Sequence, residues 1–228
     1  MIRPCENWRM LEERLPQFGA FGVKAACTLA AYEGPAAFLQ VFETHCGAAL
    51  LFEGELILCG DGEELRQFAL LCPGVRSVLC REDTAGGLPL AALHRGAIMV
   101  GEGAAEGFPA QPELKELYDC IRTVFGLPDV DNSLYVDLSH RLRHGASDAL
   151  YRDGGCALVH HSRSGSLLTA LGVKKQQRGK GVGTALAREA LRCTAGPLWL
   201  FCEEGLVRLY EKVGFEKQGG YNLLERKG

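Results

Sequence analysis

The chain has 228 residues, enough for one large or two small domains. Hydrophobic residues make up 47% and charged residues 23%, an ordinary globular balance, and a net charge of −3 gives no general attraction to nucleic acid or an anionic membrane. No apolar run is long enough to span a bilayer, and the first residues lack a secretory apolar core. The expected location is therefore the cytoplasm, with neither a membrane nor a nucleic-acid partner. Ten cysteines are many for this length, yet none form C-x-x-C and no Cys/His group has zinc spacing. Most lie in apolar stretches, as Cys59, Cys80 and Cys202 do, so they read as buried thiols and no metal is expected.

In chain order, a helix is expected over 7–15, stopped by Pro16. Two apolar runs, 47–52 and 55–59, flank Glu53-Gly54 and read as a hairpin. Residues 63–71 have helical spacing with Asp61 as a candidate N-cap; Pro73-Gly74 ends that helix, and 75–80 reads as a strand. Glu106 to Pro112, with two prolines and a glycine, reads as a linker, which divides the chain into 1–108 and 109–228. Pro112 suits the first turn of a helix running to 125, closed by Gly126-Leu127-Pro128. Strands over 149–152 and 156–161 flank Asp153-Gly154-Gly155, and 166–173 is a third strand. A helix over 181–193, a buried strand over 198–202, a helix over 206–213 and a strand over 221–224 complete the order. The class is mixed α/β (α+β).

The strand over 166–173 feeds Lys174-Lys175-Gln176-Gln177-Arg178-Gly179-Lys180-Gly181-Val182-Gly183-Thr184 and then the helix. A helix start is an anion site, because its first N–H groups lack internal partners and the dipole is positive there. Three phosphate loops compete. A Walker loop needs Lys followed by Ser or Thr, but Gly181 follows Lys180. A dinucleotide fingerprint counted from Gly179 meets Thr184 where its last glycine belongs, and no second strand at the right distance carries a ribose-binding acid. Arg-x-x-Gly-x-Gly is met by Arg178, Gly181 and Gly183. On these residues the chain resembles the GCN5-related N-acetyltransferase (GNAT) family, whose pyrophosphate loop has this form; the alternative is a flexible Gly/Lys turn before an ordinary helix. A second likeness is Tyr210-Glu211-Lys212-Val213-Gly214-Phe215, which resembles the family's short helix with a glycine stop. A third, over 134–145, resembles uncharacterised bacterial members with an extra N-terminal region and carries no chemistry of its own.

The resemblance spans roughly 112–228 and implies a mixed central sheet with helices on both faces, preceded by a smaller mixed α/β domain over 1–108. That first domain could be a degenerate copy of the same fold. The family moves an acyl group from CoA to a primary amine by direct attack. Acetyl-CoA is thus the implied cosubstrate, with an unidentified amine as acceptor. Strands 168–173 and 198–202 would splay apart, and the backbone of Leu171, Gly172 and Val173 would pair with the pantetheine arm. N–H groups of Arg178, Gly179, Lys180, Gly181, Val182 and Gly183, with the Thr184 hydroxyl, would hold the pyrophosphate. Tyr210 would protonate the leaving thiolate. The family's usual glutamate is missing from 168–171, so Asp137, His140, His144, Asp148 or a water chain are the candidates for the general base. Glu203 stands where an asparagine is frequent. The second function considered is a non-catalytic acyl-CoA-binding or sensing module, and a homodimer is plausible.

Overall fold

The protein is described by a computed structural model over residues 2–128 and 133–226. After β1 (Arg3–Pro4), Asn7 caps α1 (Trp8–Arg14) by accepting from the Met10 N–H at 3.3 Å. Pro16 does not simply end the helical path. It sits in a 3-10 turn, Leu15–Phe18, after which Gly19 (φ 58°) restarts the chain as α2 (Gly19–Ala31). This helix was not expected from the sequence. It is buried on nearly every side, so it has no polar face to create a 3.6-residue period. Gly22 is required there, since a Cβ would stand 1.7 Å from the Leu15 carbonyl oxygen.

The first half continues as β2 (Leu39–Glu43), β3 (Ala48–Phe52) and β4 (Glu55–Cys59). The hairpin forms as expected, with Glu53 (φ 47°) and Gly54 (φ 85°) both left-handed, as a two-residue turn requires. Next come α3 (Glu63–Leu71), β5 (Ser77–Arg81), α4 (Glu82–Ala85) and β6 (Ala91–Ala104). Asp61 does not cap α3. Gly62 occupies that position without a side-chain bond, and Asp61 pairs with Arg66 at 2.7 Å.

The second half runs α5 (Leu114–Phe125), α6 (Ser133–Arg143), β7 (Ser147–Arg152), β8 (Gly155–Ser162) and β9 (Gly165–Val173). It ends with α7 (Val182–Cys193), β10 (Ala195–Cys202), α8 (Val207–Glu211) and β11 (Glu216–Glu225). Gly126 closes α5 in the left-handed conformation, as its position past the last apolar repeat predicts.

The eleven strands among the described residues form one mixed sheet, in the order β1-β2-β3-β4-β5-β11-β6-β10-β9-β8-β7. The same succession occurs twice: two helices, three antiparallel strands, a helix, a strand parallel to its neighbour, a short helix and a long strand. The final strands are exchanged. β6, which ends the first succession, lies against β10; β11, which ends the second, lies against β5; β6 and β11 pair with each other at the centre. The sheet therefore runs across the division expected at 108/109.

Helices cover both faces. On one face, α1 and α2 pack on Leu50, Ile57, Leu79 and Ile98, with α2 reaching Leu167 of the second half. On the other, α7 and α8 pack on Leu168, Leu198, Leu200 and Met99. Polar contacts also join the halves: His140 Nε2 meets the Ala31 carbonyl at 2.8 Å, and the Tyr32 hydroxyl donates to Asp137, which also accepts from Arg141 at 2.8 Å.

Candidate active site

Two parallel strands open the site. β9 and β10 are paired at Ser166–Leu198, Leu167–Trp199 and Leu168–Leu200, and there the ladder stops although both strands continue. Residues 169–173 thus turn one backbone edge toward a slot. On its other side β9 carries an irregularity against β8, between Cys156 (opposite Gly172) and Leu158 (opposite Thr169). Ala170 sits inside it at φ 48°, a left-handed conformation that costs a non-glycine residue roughly 1–2 kcal/mol. Bulges of this kind redirect backbone groups. Gly172 is fixed by packing, because a Cβ there would stand 2.2 Å from Val124 Cγ1 on α5. Leu171, Gly172 and Val173 are all half-buried along this edge.

From Val173 the chain passes through a 3-10 turn, Lys175–Gln177, into the glycine loop. Gly179 (φ 77°) and Gly181 (φ 81°) are left-handed, and a Cβ on either would meet nothing within 4 Å. Conformation, not crowding, demands glycine at these positions. Gly181 is the N-cap of α7 and no side chain caps that helix, so Val182, Gly183 and Thr184 form an open helix start. Arg178 folds back, its Nε donating to the Val173 carbonyl at 3.0 Å, which ties the loop to the strand; Lys180 Nζ donates to Gln177 Oε1 at 2.9 Å. The arrangement offers N–H groups and two nearby cations, the elements of an anion site.

Tyr210, on α8, is 5% exposed and packs edge-on to Phe215 at 5.6 Å. Burial, and secondarily Cys202, raises its pKa above the ordinary phenol value, so the hydroxyl keeps its proton at neutral pH. Burial likewise pushes the Cys202 thiol up to about 11. Tyr210 lines a cavity of about 340 Å³ with Leu168, Leu171 and Leu200 of the slot. The opposite wall comes from the first half of the chain: Lys24 of α2, Glu55 of β4, Leu79 of β5 and His94 of β6.

The four candidates for the general base do not line this cavity. Asp137 and His140 instead lock α6 to α2, as described above. His144 is exposed on the next turn, its ring 4.4 Å from that of His140. Asp148 accepts from or pairs with His161 Nε2 at 2.9 Å, and His161 Nδ1 meets Ser166 Oγ at 3.0 Å. That Asp–His–Ser chain resembles a hydrolase triad in composition only. Ser166 is 4% exposed and does not line the cavity that holds Tyr210, so the chain fastens β7, β8 and β9. The acids that do line the cavity are Glu55 and Glu203. Lys24, Glu55 and His94 were missed because each is remote in sequence and sits in no local motif.

The first half has a counterpart to the loop. Between β4 and α3 lie only residues 60–62, where the second half has 174–181. Asp61 occupies this turn, held by Arg66 at 2.7 Å and the Thr84 hydroxyl at 3.2 Å, and Glu63 and Glu64 open the helix. Carboxylates at a helix start supply the negative charge that a diphosphate would bring.

Residues 145–217 match the family model described as the acetyltransferase (GNAT) domain. This segment is similar to the GNAT family. It spans β7 to the start of β11 and so contains the slot, the glycine loop and Tyr210. Solved structures of similar fold include a GCN5-related N-acetyltransferase from Kribbella flavida, at 15% identity and TM-score 0.55, covering 89% of this chain and 96% of that one. Another, from Sphaerobacter thermophilus, has 14% identity and TM-score 0.54, covering 99% and 95%. A tandem GNAT protein from the clavulanic acid biosynthesis pathway has 12% identity and TM-score 0.50, covering 99% and 98%. No curated protein matches the chain.

Proposed function

We propose that the protein is an N-acyltransferase that uses acetyl-CoA to acylate a primary amine. The observation that carries this reading is the continuity of three features: the uncapped start of α7, the unpaired edge of β9 beyond Leu168, and Tyr210 in the cavity at the end of that edge. Acetyl-CoA would rest its pyrophosphate on the N–H groups of 178–183 and the Thr184 hydroxyl. Its pantetheine arm would add as a short strand along Leu171, Gly172 and Val173.

The acceptor enters as an ammonium and first gives a proton to water, since an alkyl ammonium has a pKa near ~10.4. Its nitrogen then bonds to the thioester carbonyl carbon. Negative charge on the carbonyl oxygen is met by a backbone N–H of the 171–173 segment. The C–S bond breaks with its electron pair on sulfur, and the thiolate takes the Tyr210 proton. The desolvation that raises Tyr210 acts on the thiolate too and increases its appetite for the proton. Solvent carries the second nitrogen proton back to the phenolate. The products are an amide, CoA thiol and the proton first released.

The first half is, in this reading, a second copy of the fold that has lost its phosphate loop and now supplies the far wall of the acceptor cleft. The protein would act in the cytoplasm on a small amine, without nucleic acid or membrane, and a homodimer would form through an edge strand, β1 or β7. One observation favours a non-catalytic acyl-CoA-binding module instead: the slot strand bears no carboxylate, and the other expected bases lie outside the cavity. CoA-thiol release with an amine panel, for wild type and Tyr210→Phe, decides between them. Transfer predicts turnover that falls about 10²–10⁴-fold in the variant, the usual worth of a general acid, with acetyl-CoA still bound. Binding without turnover for any amine leaves the sensing module.

A further inference from the structure

We infer that the acceptor is a zwitterion: an amine carrying a carboxylate next to it, of the size and polarity of an apolar α-amino acid. The inference rests on the transfer reading above. It starts from Lys24, the one charged residue of α2, whose neighbours along the helix are buried. Lys24 Nζ lies 2.8 Å from Glu55 Oε1, with the two side chains 29% and 31% exposed. Glu55 is the only ion-pair partner of Lys24 among the described residues. Packing does not call for such a pair, because taking two charges out of water offsets much of their attraction and apolar residues fill such a space as well. The side they show to solvent is the wall of the 340 Å³ cavity that also holds Tyr210.

The cavity is at the small end of ligand pockets, which run about 300–1,000 Å³. Part of it receives the acyl end of the donor, so the acceptor is small. Leu79, Phe201 and Leu223 give the remainder an apolar lining. A cation and an anion side by side on that wall match a ligand bearing both charges on groups attached to one carbon. The ammonium of Lys24 takes the carboxylate, and Glu55 attracts the amine that will react. A polycation fits less well, since Lys24 repels its second charge. A simple alkylamine leaves Lys24 unused.

The probes are L-leucine, L-methionine and L-phenylalanine, each beside its carboxamide, which keeps the amine and removes the negative charge. CoA-thiol release is measured with saturating acetyl-CoA for wild type, Lys24→Met and Lys24→Arg. For at least one pair, kcat/KM for the acid should exceed that for the carboxamide by about tenfold or more, the scale of one charge-assisted contact. Lys24→Met should bring the acid down toward the carboxamide and cost the acid several-fold more than the carboxamide, while Lys24→Arg keeps most of the preference. Equal rates on acid and carboxamide in wild type, or an equal loss on both in Lys24→Met, overturn the proposal. Binding of the same amino acids by calorimetry keeps it falsifiable where no turnover occurs. Amino-acid binding that Lys24→Met abolishes upholds the site, and no binding of any of the three overturns it. Failure of acetyl-CoA to bind would sink the transferase reading separately.

Discussion

Cutting the chain at its linker tests the exchange of strands. A fragment of residues 109–228 keeps the glycine loop, the slot and Tyr210, but loses β6 and α2. Its β10 loses a partner along all eight positions from Ala195 to Cys202, and β11 loses the same strand. Ile98 and Met99, 6% and 0% exposed, depart with β6, and removal of α2 uncovers Leu167, Trp199 and Phe201. Each such large apolar side chain contributes roughly 1.5–3 kcal/mol when buried. The three buried ones, Ile98, Met99 and Leu167, already reach the lower end of the stability of an ordinary domain, about 5–15 kcal/mol, and the partly buried Trp199 and Phe201 add to the loss. The fragment should therefore lack a cooperative urea transition and near-ultraviolet circular dichroism, and should not bind acetyl-CoA. Co-expression with residues 1–108 should restore all three. A fragment that unfolds cooperatively and binds acetyl-CoA like the full chain would refute the view that the halves share one sheet by necessity.

Gly172→Ala should cost about 1–3 kcal/mol by overpacking against Val124, and should weaken acetyl-CoA binding because the slot strand must shift. The corresponding fall in Tm, about 2–4 °C per kcal/mol for a chain of this size, is readable by calorimetry, and an unchanged Tm would show that α5 yields freely. Desolvation holds the thiols of Cys27, Cys59 and Cys80 up at about 12. For a raised pKa, the stabilising difference is complete below the unfolded value, near ~8.5, and is lost as pH climbs through the folded one. Urea midpoints should then fall steadily from about pH 9 toward 12, and replacing these cysteines with alanine or serine should flatten the decline. An equally steep decline in the replaced protein would assign it elsewhere.

The glycine loop was legible because its chemistry is local: a strand, left-handed glycines and a helix start need only adjacent residues. The Glu53-Gly54 and Asp153-Gly154 turns were legible for the same reason, each needing two consecutive positive φ angles. β6 was not. Its Gly96, Gly101 and Gly103 suggest an approach to a linker, whereas they mark close packing at the centre of the sheet. A Cβ at Gly96 would stand 2.0 Å from the Cys202 carbonyl oxygen, and one at Gly103 would stand 2.2 Å from that of Thr194. Residues 91–95 are also exposed and 97–99 buried, so the strand shows no simple alternation. The far wall of the Tyr210 cavity was illegible for a different reason. Lys24, Glu55 and His94 lie on three elements of the first half and meet Tyr210 only because the final strands cross over.

Calorimetric titration of acetyl-CoA into wild type and Gly181→Trp tests the central claim most directly. The account predicts micromolar binding at one site per chain, since the glycine loop precedes α7 whereas carboxylates crowd the short turn before α3, and loss of that binding in the variant, whose bulky side chain blocks the loop. Binding that persists unchanged in Gly181→Trp, two sites per chain, or no binding by the wild type would contradict it.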